Sequence, residues 1–198
     1  MADHAPLVAV LAAGAGTRFD PHAYGAKLDA LLAGKPVGQW VLDAVMAAGL
    51  APGVIVVGGV APQFARTSGW PLLVNDRAHL GLGTSLAISA GAALAQGRAL
   101  LVLLADMPLV GADHLSAMAA HACAATLYPT GKAGVPALIG AALLPQVAML
   151  AGDSGAGALL GASTDLCAII PPAHMLIDID RSEDLLRAAS MVSKAQQA

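Results

Sequence analysis

Residues 7–13, Val54–Val57 and residues 100–105 are apolar at every position, not at alternate positions. A strand with one wet face alternates apolar and polar residues, so an unbroken apolar run marks a strand covered on both faces. Such strands require helices above and below a central sheet. Ala-rich stretches of helical length and spacing lie between them, at 37–49, 84–96, 112–122 and 141–150, with further helices expected at 155–161 and 182–195. This alternation predicts an α/β chain of three layers, with a mostly parallel sheet and right-handed crossovers. No linker and no internal repeat interrupts it, so residues 1–198 read as a single domain. The polar segment 190–198 is expected to fray.

Composition narrows the partners. Charged residues make up 12% of the chain, which describes a packed globule and not a disordered one. A net charge of −3 and 3% aromatics provide neither a basic footprint nor a stacking platform, which excludes polymeric nucleic acid as a partner. Cys123 and Cys167 occur in no paired metal spacing and read as reduced core thiols. Residues 44–65 and 133–152 lack charge and approach the length of a membrane span. Gly49, Pro52 and Gly53 divide the first, and Pro136, Gly140 and Pro145 the second, into strands and helices of ordinary length. The residues before the first apolar run carry Asp3 and no Lys or Arg, unlike a secretion signal, so the expectation is a cytoplasmic protein with no membrane partner.

In an open α/β sheet the loops beyond the carboxyl ends of the strands gather ligands, and here those loops carry the unusual residues. Leu11-Ala12-Ala13-Gly14-Ala15-Gly16-Thr17-Arg18 supplies glycines for close backbone approach and then a fixed cation, which suits a nucleotide with its phosphates. Phe19 stands where a dinucleotide fingerprint needs its third glycine, and Thr17 is followed by Arg18 where a P-loop needs Lys then Ser or Thr. Asp106 emerges from a run that should be buried, so its carboxylate needs a partner or a metal. Mg²⁺ bridging Asp106 to substrate phosphates fits, because Mg²⁺ is held by one or two carboxylates together with phosphate oxygens.

Taken in order along the chain, the segments 11–18, Lys27, Asn75, 81–86, 104–108, 136–140, 152–156 and 178–185 resemble the molybdenum-cofactor nucleotidyltransferase family, the MobA-like NTP transferases. The resemblance implies a Rossmann-like nucleotidyltransferase fold with a mixed, mostly parallel sheet. It implies transfer of NMP from an NTP to a phosphorylated acceptor with release of pyrophosphate, Mg²⁺ as cofactor, and molybdopterin as acceptor. A molybdoenzyme or its maturation chaperone would then be a protein partner. Leu11, Ala12, Ala13, Gly14, Gly16, Thr17, Arg18, Lys27, Asn75 and Ser85 would hold the nucleotide, with Lys27 neutralising its triphosphate. Arg18, Lys27 and Asp106 would form the catalytic group, and Asp106 and Asp180 the metal ligands. The Leu-Ala-Ala-Gly form of the first loop accompanies the cytidylyl branch, so CTP is expected over GTP.

Three departures bear on the acceptor: Val135 where the family often has His, Gly157 where it has a nearby Arg, and Arg181-Ser182 where Thr-Pro is usual. A guanylyltransferase, a cytidylyltransferase acting on a sugar phosphate or another small phosphate, and a non-catalytic pterin-binding chaperone stay open as alternatives. The reaction asks little of a general base, because a phosphate monoester with a second pKa of about 6 is already anionic at neutral pH. Positioning and charge neutralisation would supply most of the catalysis.

Gly152-Asp153-Ser154-Gly155 and the segment around His121 resemble serine-protease motifs, but only 33 residues separate His121 from Ser154, too few to build two β-barrels. His121 is expected at a helix end and Asp153 as the cap of the next helix. His4, His22, His79, His114 and His174 show no zinc spacing and are expected in surface or capping roles, although His114 and His121 could share a helix face.

Overall fold

The computed structural model describes residues 5–19 and 26–195, which leaves His4, His22 and residues 196–198 outside the described part. The first half of the chain runs β1 (Leu7–Ala12), α1 (Ala26–Asp29), β2 (Leu31–Leu32), β3 (Lys35–Pro36), α2 (Val37–Ala47), β4 (Val54–Val57), α3 (Gln63–Thr67), β5 (Leu72–Val74) and α4 (Leu82–Ala95). The second half continues with β6 (Leu100–Leu104), α5 (Ala112–Ala119), β7 (Ala124–Leu127), β8 (Ala133–Ile139), α6 (Leu144–Val147), α7 (Gly157–Gly161), β9 (Cys167–Ile169) and α8 (Ser182–Ala195).

The unbroken apolar runs are the middle strands of a seven-stranded sheet ordered β5-β4-β1-β6-β8-β7-β9. Alternate residues of each run serve opposite faces. Val8, Val10, Ile55, Val57, Leu101 and Leu103 pack beneath α2, α3, α5 and α8, while Leu7, Ala9, Val54, Val56, Leu100 and Val102 pack beneath α4 and α6. Both faces are dry, which is why these strands carry no polar alternation.

β5, β4, β1 and β6 run parallel, β8 pairs antiparallel with both β6 and β7, and β9 is parallel to β7. β8 therefore runs alone against the other six. The cause is local: residues 128–132 close a hairpin in which Tyr128 N donates to Lys132 O (3.0 Å), and a connection this short can join only antiparallel strands. The mixed, mostly parallel sheet expected from the sequence is the sheet observed.

Some expected elements change. The helix at 141–150 shrinks to Leu144–Val147 between turns, because Gly140 and Pro145 leave room for one helical turn. Segment 190–195 does not fray; it completes α8, whose Ala188 and Val192 are buried in the core. Cys167 lies half-buried on an edge strand, so only Cys123 is a core thiol, and both are free. His114 takes no surface role. It is buried, and its Nε2 lies 2.9 Å from the Thr126 hydroxyl, which donates to Pro136 O. Burial lowers its pKa. Among the described residues, no helix is long and apolar enough to cross a membrane.

Candidate functional site

β1 lies between β4 and β6, and the chain leaves it on one side for β4 and β5 before returning on the other as β6. This reversal opens a crevice at the carboxyl ends of β1 and β6, the place where such sheets bind ligands. Two adjoining clefts fill it, of about 370 and 390 Å³, sharing Gly14, Arg18 and Asp106. Each is within the ~300–1,000 Å³ of small-ligand sites.

One cleft is charged. Lys27 Nζ donates to Asp106 Oδ2 at 2.7 Å and to Asp180 Oδ1 at 3.2 Å, and Arg18 Nη1 meets Asp180 Oδ2 at 2.7 Å. Asp178 lines the same cleft, so two cations face three carboxylates. Lys27 is 7% exposed. Burial pushes its ammonium pKa down, but Asp106 and Asp180 outweigh burial and hold it above the ordinary lysine value. Desolvation, then the like charges of Asp180 and Asp106, lift the Asp178 carboxyl above the usual range. Among the described residues, Asp106 Oδ1 is buried with no hydrogen-bond partner. A buried carboxylate oxygen left bare is costly, and a cation brought by a ligand relieves it.

Local structure explains how residues far apart in sequence meet here. Leu28 anchors α1 in the core, and Asp29 caps α3 by accepting from Gln63 N (2.7 Å) and Phe64 N (2.8 Å), which fixes the helix that carries Lys27. Gly16 (φ +66°) crosses the Lys27 stem, where a Cβ would lie 3.3 Å from Lys27 Cγ. Ile179 is fully buried and its N–H donates to Asp106 O (2.8 Å), strapping the Asp178–Asp180 turn to the end of β6. Asp184 Oδ2 accepts from Arg181 N (2.8 Å) and Asp180 N (3.2 Å), holding that turn from the start of α8.

The other cleft is nearly neutral away from the shared residues. Leu11, Ala13, Ala78, Leu82 and Ser85 line it together with Asp153. Gly81 is the entry and residues 82–85 the first turn of α4, which starts two residues before the expected 84.

The structure thus brings Leu11, Ala13, Gly14, Gly16, Thr17, Arg18, Lys27, Ser85, Asp106 and Asp180 to one crevice. Ala12 points to the opposite face and packs in the core. Asn75 is 1% exposed, and its Nδ2 donates to the Thr84 and Ser85 hydroxyls at 2.9 Å each, so it acts behind the wall through Ser85.

Sequence reasoning missed the positioning roles of Asp29 and Asp184, because both are long-range or reciprocal caps. It also placed Asp153 wrongly as a helix cap: α7 starts after Ala156, and Asp153 faces the crevice instead. The glycines flanking Leu82 were its only signal. His121 follows α5 as expected, and its Nε2 lies 3.4 Å from Cys167 Sγ, while His114 is buried against Thr126. Among the described residues, no three His, Cys, Asp or Glu side chains form a ready-made metal cage.

The sequence profile of the MobA-like NTP transferase domain matches residues 8–166. Among solved structures, a nucleotidyl transferase from Methanothermobacter (Mth528) is 24% identical, with 97% of this chain and 99% of that chain covered at a TM-score of 0.79. Rv0371c from Mycobacterium tuberculosis H37Rv is 21% identical over 93% of this chain and 98% of its own, at a TM-score of 0.73. Its complex with manganese matches at 22% identity, 94% and 99% coverage, and a TM-score of 0.69. At these identities the structural likeness speaks to the fold.

Proposed function

Because the chain belongs to the family of MobA-like NTP transferase domains and is a nucleotidyltransferase, we propose that it transfers CMP from CTP, with a divalent metal, to a phosphorylated acceptor, and that the acceptor is molybdopterin. The observation that carries the metal-dependent part is the bare, buried Asp106 Oδ1 beside Lys27 and Arg18 in the strand-end crevice.

Asp106 fits a hard cation such as Mg²⁺, which keeps open positions for phosphate oxygens and needs only one or two protein carboxylates. The manganese complex of Rv0371c supports a divalent ion in this fold. Asp106 would hold the ion through its free oxygen, with Asp180 as second ligand. When bound, the ion supplies charge neutralisation between the two anionic reactants. The protein's own residues do the rest. Lys27 and Arg18 would take triphosphate oxygens in exchange for their carboxylate partners, and residues 14–17 line the same cleft. Lys27 stays protonated throughout the neutral range, so it serves as a fixed positive charge and not as a base.

The preference for CTP rests on Ala13, which is buried in the wall of the neutral cleft, where its methyl limits the ring that can approach. All of residues 1–198 would act as one domain, in the cytoplasm, with a molybdoenzyme or its maturation chaperone as recipient. A chaperone that only holds a pterin has no use for the Lys27, Arg18 and Asp106 group. The test is pyrophosphate release with each of four NTPs against molybdopterin and a panel of sugar phosphates, with Mg²⁺, Mn²⁺ or chelator. Metal-dependent release with CTP and molybdopterin is expected. Turnover only with a sugar phosphate would replace the acceptor, and pterin binding without any turnover would favour the chaperone.

A further inference from the structure

Resting on the nucleotidyltransferase reading above, we propose that Asp153 reads the nucleobase, accepting a hydrogen bond from an exocyclic amino group and so rejecting bases that present a carbonyl there. Three observations converge on it.

The first is how the chain places this carboxylate. Gly83 N donates to Gly152 O (2.8 Å), tying the 151–153 turn to the start of α4. A Cβ on Gly83 would lie 2.8 Å from Ala151 O, and a Cβ on Gly81 would overlap both Gly152 and Asp153 Oδ1. Gly81 also holds φ at +117°, outside the range of L side chains. Two glycines therefore clear the space that lets Asp153 reach the crevice. Any larger residue at 81 would push it away.

The second is its surroundings. Among the described residues Asp153 has no hydrogen-bonded or ion-paired partner, whereas Asp180 has both oxygens engaged and Asp106 one. Its carboxylate is left to a ligand or to water.

The third is which part of the ligand lies there. Arg18, Asp106 and Gly14 line both clefts, and on the reading above the charged cleft takes the phosphates; Asp153 lines only the other cleft, together with Leu11, Ala13, Ala78 and Leu82. Beyond the shared Arg18 and Asp106, the polar side chains of this cleft are Ser85 and Asp153 among apolar walls, a lining that suits a flat base with a few polar groups to orient it. An ionised carboxylate can only accept hydrogen bonds. Cytosine offers an amino group where uracil carries a carbonyl oxygen, and lone pairs of that oxygen would face the lone pairs of Asp153. The two pyrimidines are otherwise close in shape, so a single carboxylate can separate them.

The test is calorimetric titration of CTP, UTP, GTP and ATP with Mn²⁺ into wild type, Asp153→Asn and Asp153→Ala, with thermal midpoints measured alongside. Asp153 is exposed on a turn, so both variants should keep the wild-type midpoint. Wild type should bind CTP over UTP. The CTP-to-UTP affinity ratio should fall by about tenfold or more in Asp153→Asn, whose amide can donate to the uracil carbonyl. An equal loss for all four nucleotides would assign Asp153 to the ribose and overturn the proposal, as would an unchanged ratio. Wild type that binds no NTP would overturn the nucleotidyltransferase reading itself, an outcome distinct from either.

Discussion

The charged and neutral ends of the crevice are built by opposite means. At the charged end, Lys27 meets partners 79 and 153 positions away in sequence, and ion pairs hold the arrangement. At the neutral end the contacts are backbone to backbone, with Gly81 and Gly83 letting the 151–153 turn close over α4. The charged end is poised to exchange protein partners for ligand charges, so it should govern turnover and metal use. The neutral end has little charge to exchange, so it should govern which base enters.

Asp106→Asn should break the charged end most severely. It preserves shape while removing the anionic charge whose Oδ1 no described residue satisfies, and turnover should fall by about 10²–10³ or more. Pyrophosphate release within tenfold of wild type would remove Asp106 from the chemistry. The ratio among the four NTPs should stay the same, because base choice belongs to the other end.

Lys27→Met separates the charges. Without its ammonium, Arg18 is the one cation left beside Asp106, Asp178 and Asp180 among the described residues of the cleft, so Mn²⁺ alone should bind more tightly than to wild type. Metal-CTP should bind about 10–100-fold more weakly, as expected when a charge-assisted contact to phosphate is lost. Titrations of Mn²⁺ with and without CTP read both effects. If the two affinities move together, Lys27 is not both a stand-in for the metal and a phosphate contact.

Ala13→Gly sharpens the neutral end. Deleting one methyl should admit the purine and lower the CTP-to-GTP ratio of kcat/KM by about 1–3 kcal/mol, while dependence on metal concentration stays as in wild type. A variant with an unchanged ratio would move base choice away from this wall.

The smallest expected effect is a pH dependence of stability. Lys27 has a folded pKa above its ordinary 10.5, so its ion pairs stabilise the fold fully below that value and are lost as pH rises through the folded pKa. The gap in thermal midpoint between wild type and Lys27→Met should therefore be constant from neutral pH to about 10 and narrow above it. A gap that narrows below pH 9 would mean that the ammonium is not held by Asp106 and Asp180.

Much of this was legible in the sequence, and the reason is physical. Residues 7–13 and 100–105 could be read as doubly buried strands because burial on both faces leaves no position for a polar residue, a constraint each residue meets alone. The Gly14–Arg18 loop and Asp106 were legible because a strand end without a local cap or partner for its polar groups signals a ligand. What the tertiary structure alone decided are relations between segments. Asp29 caps a helix 34 residues ahead, and Ile179 ties the last acidic pair to Asp106. The insertion of β8 between β6 and β7 is likewise a matter of which strands pair. Asp153 shows the limit most plainly. Its neighbours in sequence suggest a helix cap, and only the approach of two glycines from some seventy residues earlier turns it toward the crevice. Local pattern encodes burial and turns because those depend on a residue and its immediate neighbours; partners across the fold depend on where every intervening element packs.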